Sequence, residues 1–193
     1  MEGLILEPEK HQYFWEGKRV PGITEIIKTL GLTKDTTYID PYFATRGIAA
    51  HKAIELYLGD NLDEQTLDES YRGYFEGFKA WWTKTKKSVR CATEISLYSQ
   101  RLNFAGTLDL VLDDMIVDYK TSKDVDPASE LQGAAQQMLW GENCNELLPF
   151  RVLQLFKDGT FRLIDYDPMN PNLWENTMGL YAWFKKAHPR SIK

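Results

Sequence analysis

The spacing of apolar and polar positions changes period several times along the chain, and each change marks an element. Residues 3–8 and 12–16 alternate and predict a short N-terminal hairpin. "GITEIIKTLG" (22–31) predicts a short helix, capped by Thr24 or entered from Pro21-Gly22. "YFATRGIAAHKAIELYLGD" (42–60) is a stronger helix, with Ala50, Ala53, Ile54, Tyr57 and Leu58 on one stripe and a stop at Gly59. "LDESYRGYFEGFKAWWTKTK" (67–86) is a second long amphipathic helix, carrying Tyr71, Tyr74, Phe75, Phe78 and Trp82. A strand at 91–98, a hairpin at 104–121, a helix at 126–142 with Pro127 in its first turn, a hairpin at 150–166 turning at Lys157-Asp158-Gly159, and a helix at 171–187 complete the order. Helices, three strands, a helix, two strands and a helix predict a mixed sheet covered by helices.

One segment breaks the usual economy of such a sheet. In "GTLDLVLDDMIVDYKTSK" (106–123), two apolar runs flank Asp113-Asp114, a tolerable two-residue turn. If that turn holds, paired residues have numbers that sum to 227, so Leu110 faces Val117, Val111 faces Ile116 and Asp109 faces Asp118. Alternation puts Leu108, Leu110, Leu112, Met115, Val117 and Tyr119 on one face, and Thr107, Asp109, Val111, Ile116, Asp118 and Lys120 on the other. Two carboxylates opposed at about 5 Å repel. A divalent cation held by hard oxygen ligands offsets that repulsion. The alternative is a solvated pair between Asp118 and Lys120, two residues apart on one face and worth little.

Composition narrows the field. With 193 residues the chain is long enough for one domain with a real core, and 43% hydrophobic with 26% charged residues is a globular balance. No apolar run reaches about 18 residues, and the first residues have neither a basic leader nor an apolar stretch, so a cytoplasmic protein that does not enter membranes is expected. Cys91 and Cys144 form no CxxC, which excludes a cysteine zinc site or a four-cysteine cluster within the chain. The net charge of −5 argues against a general nucleic-acid binder. Acid gathers in 59–70, and base gathers in "KAWWTKTKKSVR" (79–90) and "WFKKAHPRSIK" (183–193), where Trp alternates with Lys or Arg as phosphate contact and base stacking require. The plainer reading makes Trp81 and Trp82 core anchors and the lysines solubilising groups.

Other candidates can be placed around the hairpin. Lys120 and Asp118 project from one face of a strand, where a lysine can hold or polarise a nucleophile beside a cation. Glu94 alternates with core-facing Ile95 and is free to face the acids, or else is a solvated surface residue. His51 lies mid-helix at the edge of the apolar stripe, as either a structural histidine or an imidazole ligand. Gln132, on the helix after the hairpin, is positioned to touch a phosphate or the carboxylates.

These pieces together resemble a known family. "GTLD", followed nine residues on by "DYKTS", is similar to the PD-(D/E)xK nuclease motif in its RecB-type form. "RGIAAHKAIE" resembles that family's N-terminal helix with a metal-binding histidine (His51), "TEISLY" its glutamate strand (Glu94) and "ELQGAAQQMLW" its glutamine helix (Gln132). "HQYFWEGKRVPGITEII" looks like the opening of small stand-alone exonucleases of phages and of mitochondrial genome maintenance. The chain departs from the pattern at Leu108, where the family has proline, and at Gln136, where its glutamine signature has tyrosine. The cysteines of iron–sulfur members and any Walker motif are missing.

The resemblance implies a restriction-endonuclease-like mixed β-sheet flanked by helices, one nuclease domain over residues 1–193 with its catalytic core at 91–166. It implies Mg²⁺ or Mn²⁺ bound by His51, Asp109, Asp118 and the Tyr119 carbonyl, with Glu94 as outer or second-metal ligand and Lys120 acting on the nucleophile. Arg46, Lys84, Lys86, Lys87, Thr121, Ser122 and Gln132 would contact DNA. The expected activity is exonucleolytic hydrolysis of linear DNA in phage-type recombination, repair or end-processing, in the host cytoplasm if phage-encoded and with a single-strand-binding or annealing protein as partner. A structure-specific endonuclease, a silent nucleic-acid-binding or assembly protein on the same fold, and a hydrolase of small phosphates remain alternatives.

Overall fold

The computed structural model describes residues 3–33, 41–85, 90–166, 170 and 172–188. Two sheets form. The smaller is antiparallel, of strands β1 (Leu4–Glu7), β2 (Gln12–Trp15) and β3 (Lys18–Val20). The larger has five strands in the order β4 (Cys91–Ser99), β5 (Phe104–Leu112), β6 (Ile116–Lys120), β7 (Phe150–Leu155) and β8 (Phe161–Asp165). Neighbours are antiparallel except β6 and β7, which run parallel. A parallel pair needs a crossover, and the helix Ala128–Cys144 (α4) supplies it. The remaining α-helices among the described residues are α1 (Ile23–Thr29), α2 (Pro41–Leu58), α3 (Glu69–Trp82) and α5 (Leu173–Ala187). The mixed sheet flanked by helices expected from the sequence is the architecture observed.

Two cores sandwich the large sheet. On one face Leu108, Val111, Ile116, Phe150 and Val152 meet α1, α4 and α5. On the other, Leu110, Leu112, Val117, Tyr119 and Leu153 meet α2 and α3 through Ala50, Ile54, Phe75 and Phe78. Helix α4 sits close on its face because Gly133 has no side chain there; a Cβ would overlap the Phe150 ring. The small sheet packs Tyr13 and Val20 on Tyr98 and Ala105, with Trp15 stacked on Tyr98 at 4.6 Å between ring centroids. Trp81 is buried and Trp82 packs against the same core, so the tryptophan pair anchors α3 and does not form an exposed stacking surface.

Most expected boundaries fall within a few residues of the observed ones. Strand β3 is the exception, since no strand was expected at Lys18–Val20. Helix α1 begins after Gly22 with no side-chain cap, so Thr24 does not cap it. Asp68 caps α3 by accepting from the Ser70 amide at 2.8 Å.

The central hairpin has the expected register, with Leu110 opposite Val117 and Val111 opposite Ile116, and Leu112 N–H closes the turn onto the Met115 carbonyl at 2.9 Å. The expected faces are not kept in full. Leu108 packs beneath α4 with Val111, whereas Leu110 packs on the opposite face, so the pleat changes phase across Asp109. The β4–β5 ladder pairs Thr93 with Leu110 and Ile95 with Leu108, and skips Glu94 and Asp109 between them. Glu94 sits at φ 51°, in the left-handed region that disfavours a glutamate. A residue held there costs on the order of 1–3 kcal/mol, and such distortions gather where a side chain must be re-aimed.

Candidate metal centre

The same interruption builds the site. Where the β5–β6 ladder would continue to Asp109 and Asp118, the Tyr119 amide instead donates to Asp109 Oδ2 at 2.8 Å. Asp109 is thereby fixed by the backbone of the neighbouring strand and is 8% exposed. His51 comes from α2, directly after Ala50, whose burial seats the helix on the sheet. Its Nε2 lies 3.2 Å from the Tyr119 carbonyl and its Nδ1 3.6 Å from Asp109 Oδ2. A carbonyl can only accept, so Nε2 carries the proton in that bond and Nδ1 faces the carboxylates. Glu94 as a residue is exposed, yet its carboxylate turns inward. Ligand atoms of His51, Glu94 and Asp109 all lie within 4.8 Å of one another.

Asp118 is held differently. It is 1% exposed, and its Oδ2 is 2.7 Å from Lys120 Nζ. Lys120 also donates to Gln132 Oε1 at 3.0 Å, while Gln132 Nε2 donates to Asp118 Oδ1. One amide thus closes a ring between the lysine and the aspartate. Asp118 thus pairs with Lys120, as one of the two sequence readings had it, but inside the protein beside Asp109 and not as a solvated surface pair.

The electrostatics report crowded acids. Loss of surrounding water pushes Asp109 up to about 6, with the Asp118 charge adding to the rise and His51 opposing it. Desolvation and then Asp109 push Glu94 up to about 7. For Lys120, burial pulls downward first, but Asp118 and Asp109 outweigh it and its pKa is raised, so it remains an ammonium at neutral pH. Buried carboxylates that resist ionisation, beside an oriented imidazole, form a set of one nitrogen and several oxygen donors that fits a small divalent cation.

All of these groups line one open cleft of about 900 Å³. Its walls are the β1–β2 turn (Pro8, Glu9, His11) and one stripe of α2 (Phe43, Gly47, Ile48, Lys52). Arg46 reaches the adjacent edge: its Nε donates to Thr121 Oγ1 at 3.4 Å and its guanidinium lies over the Phe43 and Tyr74 rings. Ser122 donates to the Asp124 carbonyl, and buried Gln154 of β7 ties the same loop by donating to the Ser122 and Lys123 carbonyls at 2.8 Å. Lys84 is not on the cleft; it lies over Phe161 of β8 at 5.2 Å. Lys86 and Lys87 lie outside the described residues.

Tyr13, Thr107 and Gln136 also line the cleft, and none of them was named as a site residue from the sequence. Tyr13 OH is 2.9 Å from Thr107 Oγ1, which is 2.8 Å from Ser96 Oγ. Gln136 Nε2 donates to both the Thr107 carbonyl and Asp118 Oδ1 at 3.4 Å. The spacing signalled the last of these, because Gln136 is one helical turn after Gln132 and shares its face.

No family model matches the chain, and no curated protein does. Among solved structures the chain is similar to a crystal structure from Eubacterium rectale named "Putative exonuclease". The TM-score is 0.53 at 16% identity, over 90% of this chain and 75% of that one. That likeness is one of fold. No helix among the described residues is long and apolar enough to cross a membrane.

Proposed function

We propose that the chain is a metal-dependent deoxyribonuclease, an exonuclease that hydrolyses phosphodiester bonds at DNA ends in phage-type recombination, repair or end-processing. The observation that supports it is the meeting, in one open cleft, of the His51–Glu94–Asp109 cluster and the Lys120–Asp118 pair. The activity named for the E. rectale protein of the same fold points the same way.

In this reading His51, Glu94 and Asp109, with Asp118 beside them, would hold Mg²⁺ or Mn²⁺. Such a cation neutralises charge on the phosphate and makes water a nucleophile at neutral pH. The Tyr119 carbonyl acts through His51, holding the tautomer that offers Nδ1. Because Lys120 stays protonated, it orients the attacking water and meets developing negative charge, and is not a base. Asp118 and Gln132 hold that ammonium in place. Arg46, Thr121 and Ser122 take flanking phosphates. The test is incubation of labelled linear and circular DNA, single- and double-stranded, with Mg²⁺, Mn²⁺ or EDTA. Metal-dependent loss of linear DNA with circles spared is the expected result, and intact DNA in every condition refutes the reading.

A further inference from the structure

Helix α2 meets the cleft along one stripe. Ala44, Gly47, His51 and Glu55 recur at helical spacing, and all four line it. At about 100° per residue, Arg46 and Ile48 project roughly 160° apart, one on each flank of that stripe. The flanks differ in kind. Arg46 reaches the end of β6, next to Lys120, through its 3.4 Å bond to Thr121. On the other flank Ile48 lines the cleft while 72% exposed. Lys52 follows it one turn on, and its charge is already taken by Glu55 at 2.8 Å. Lys52 and Glu55 both act on the Glu94 carboxyl, so this flank looks toward β4. Lys52 and Lys120 are the only Lys or Arg side chains lining the cleft among the described residues, and Glu9 enters it from the β1–β2 turn.

A duplex and an unpaired strand ask for different surfaces. A duplex turns two rows of phosphates outward and hides its base faces by stacking. A second row laid along the Ile48 flank would find no unspent cation and would meet Glu9. An unpaired strand has one row of phosphates and bare base faces, which pack on apolar and aromatic side chains. Isoleucine is among the side chains that proteins insert against base faces.

Resting on the nuclease reading, we propose that the cleft takes its DNA as an unpaired strand, with phosphates toward Arg46 and Lys120 and a nucleobase packed on Ile48. Ile48 is then a specificity-determining residue, one helical turn before the His51 imidazole. A paired end has to open before its strand can enter.

The test compares three labelled substrates of one sequence with Mg²⁺: a single strand, a blunt duplex, and that duplex with mismatched terminal pairs. Wild type is expected to act on the single strand and the mismatched ends at similar rates. The fully paired end should be slower by roughly tenfold for each base pair that must open. Binding is then measured with Ca²⁺ in place of Mg²⁺, on a thymidine oligonucleotide and on an abasic sugar–phosphate chain of equal length. Ile48→Ser should weaken binding of the thymidine chain by roughly 3- to 10-fold and leave the abasic chain unaffected, while Ile48→Leu stays near wild type. At 72% exposure the side chain carries little of the fold, so both variants stay folded. Equal or faster action on the fully paired end overturns the proposal and leaves the nuclease reading standing. So does an Ile48→Ser effect that is absent, or that is the same on the abasic chain. If wild type cleaves no DNA at all, the nuclease reading itself falls and the proposal with it.

Discussion

Replacing Asp109 by Asn tests the electrostatic reading of the site without requiring turnover. In the folded protein the Asp109 carboxyl is raised from 3.8 to about 6, because it is stripped of water and faces Asp118. A carboxyl whose folded pKa is raised binds its proton more tightly when folded. Its contribution to stability is therefore complete below the unfolded value and is lost as pH rises through about 6. The rise is about 2 units, and at 1.36 kcal/mol per unit it makes the ionised group roughly 3 kcal/mol unfavourable at pH 8. Asn has no charge to desolvate, and its carbonyl oxygen can still accept from the Tyr119 amide. Asp109→Asn should therefore match wild type near pH 4 and exceed it by about 2–3 kcal/mol near pH 8 in EDTA. For a chain of this length that corresponds to a melting increase on the order of 10 °C. The assay is denaturant and thermal unfolding of both proteins across that pH range. Mn²⁺ should then raise the melting temperature of wild type and not of the variant. A stability difference that does not change with pH refutes the argument, as would equal stabilisation by Mn²⁺.

Further expectations concern single features. Lys120→Ala should lower cleavage by about 10²–10⁴-fold while the protein stays folded and binds Mn²⁺, checked by steady-state rates and calorimetry; a loss of only a few-fold would make the lysine a mere partner of Asp118. Mn²⁺ affinity should climb from pH 5 to pH 8, because Asp109 near 6 and Glu94 near 7 must release protons to bind; titration calorimetry in buffers of differing ionisation heat reads those protons directly. Gly133→Ala should destabilise by about 1–3 kcal/mol through the Phe150 overlap and reduce cleavage beyond that, since α4 carries Gln132. Arg46→Ala should flatten the dependence of log K on log salt by ~0.7–0.9 unit, whereas Lys84→Ala, distant from the cleft, should leave it unchanged.

The sequence disclosed what depends on local order. Asp113-Asp114 set the register of the central hairpin, and the long helices showed their stripes. The acids, the lysine, the histidine and Gln132 were visible because each had a regular element to project from. Strand β3 was invisible because Lys18–Val20 is too short and too polar to show alternation. The phase change between Leu108 and Leu110 was equally hidden. It coincides with Glu94 at positive φ on a neighbouring strand, and alternation along β5 says nothing about that strand. Trp81 and Trp82 show the opposite failure: a basic aromatic run has the composition of a binding surface, yet packing against Phe78 turns both rings inward.

The imidazole and the acids are supplied by separate layers. His51 belongs to α2, which with α3 forms one cover of the sheet, while Asp109 and Asp118 lie on central strands. A cover seated by small residues such as Ala50 and Ala53 can lift away at lower free energy than the strands can separate. An opening of that cover would part the histidine from the carboxylates while leaving the sheet intact. On the proposed reading, metal affinity would then fall with temperature before the sheet melts and return on cooling.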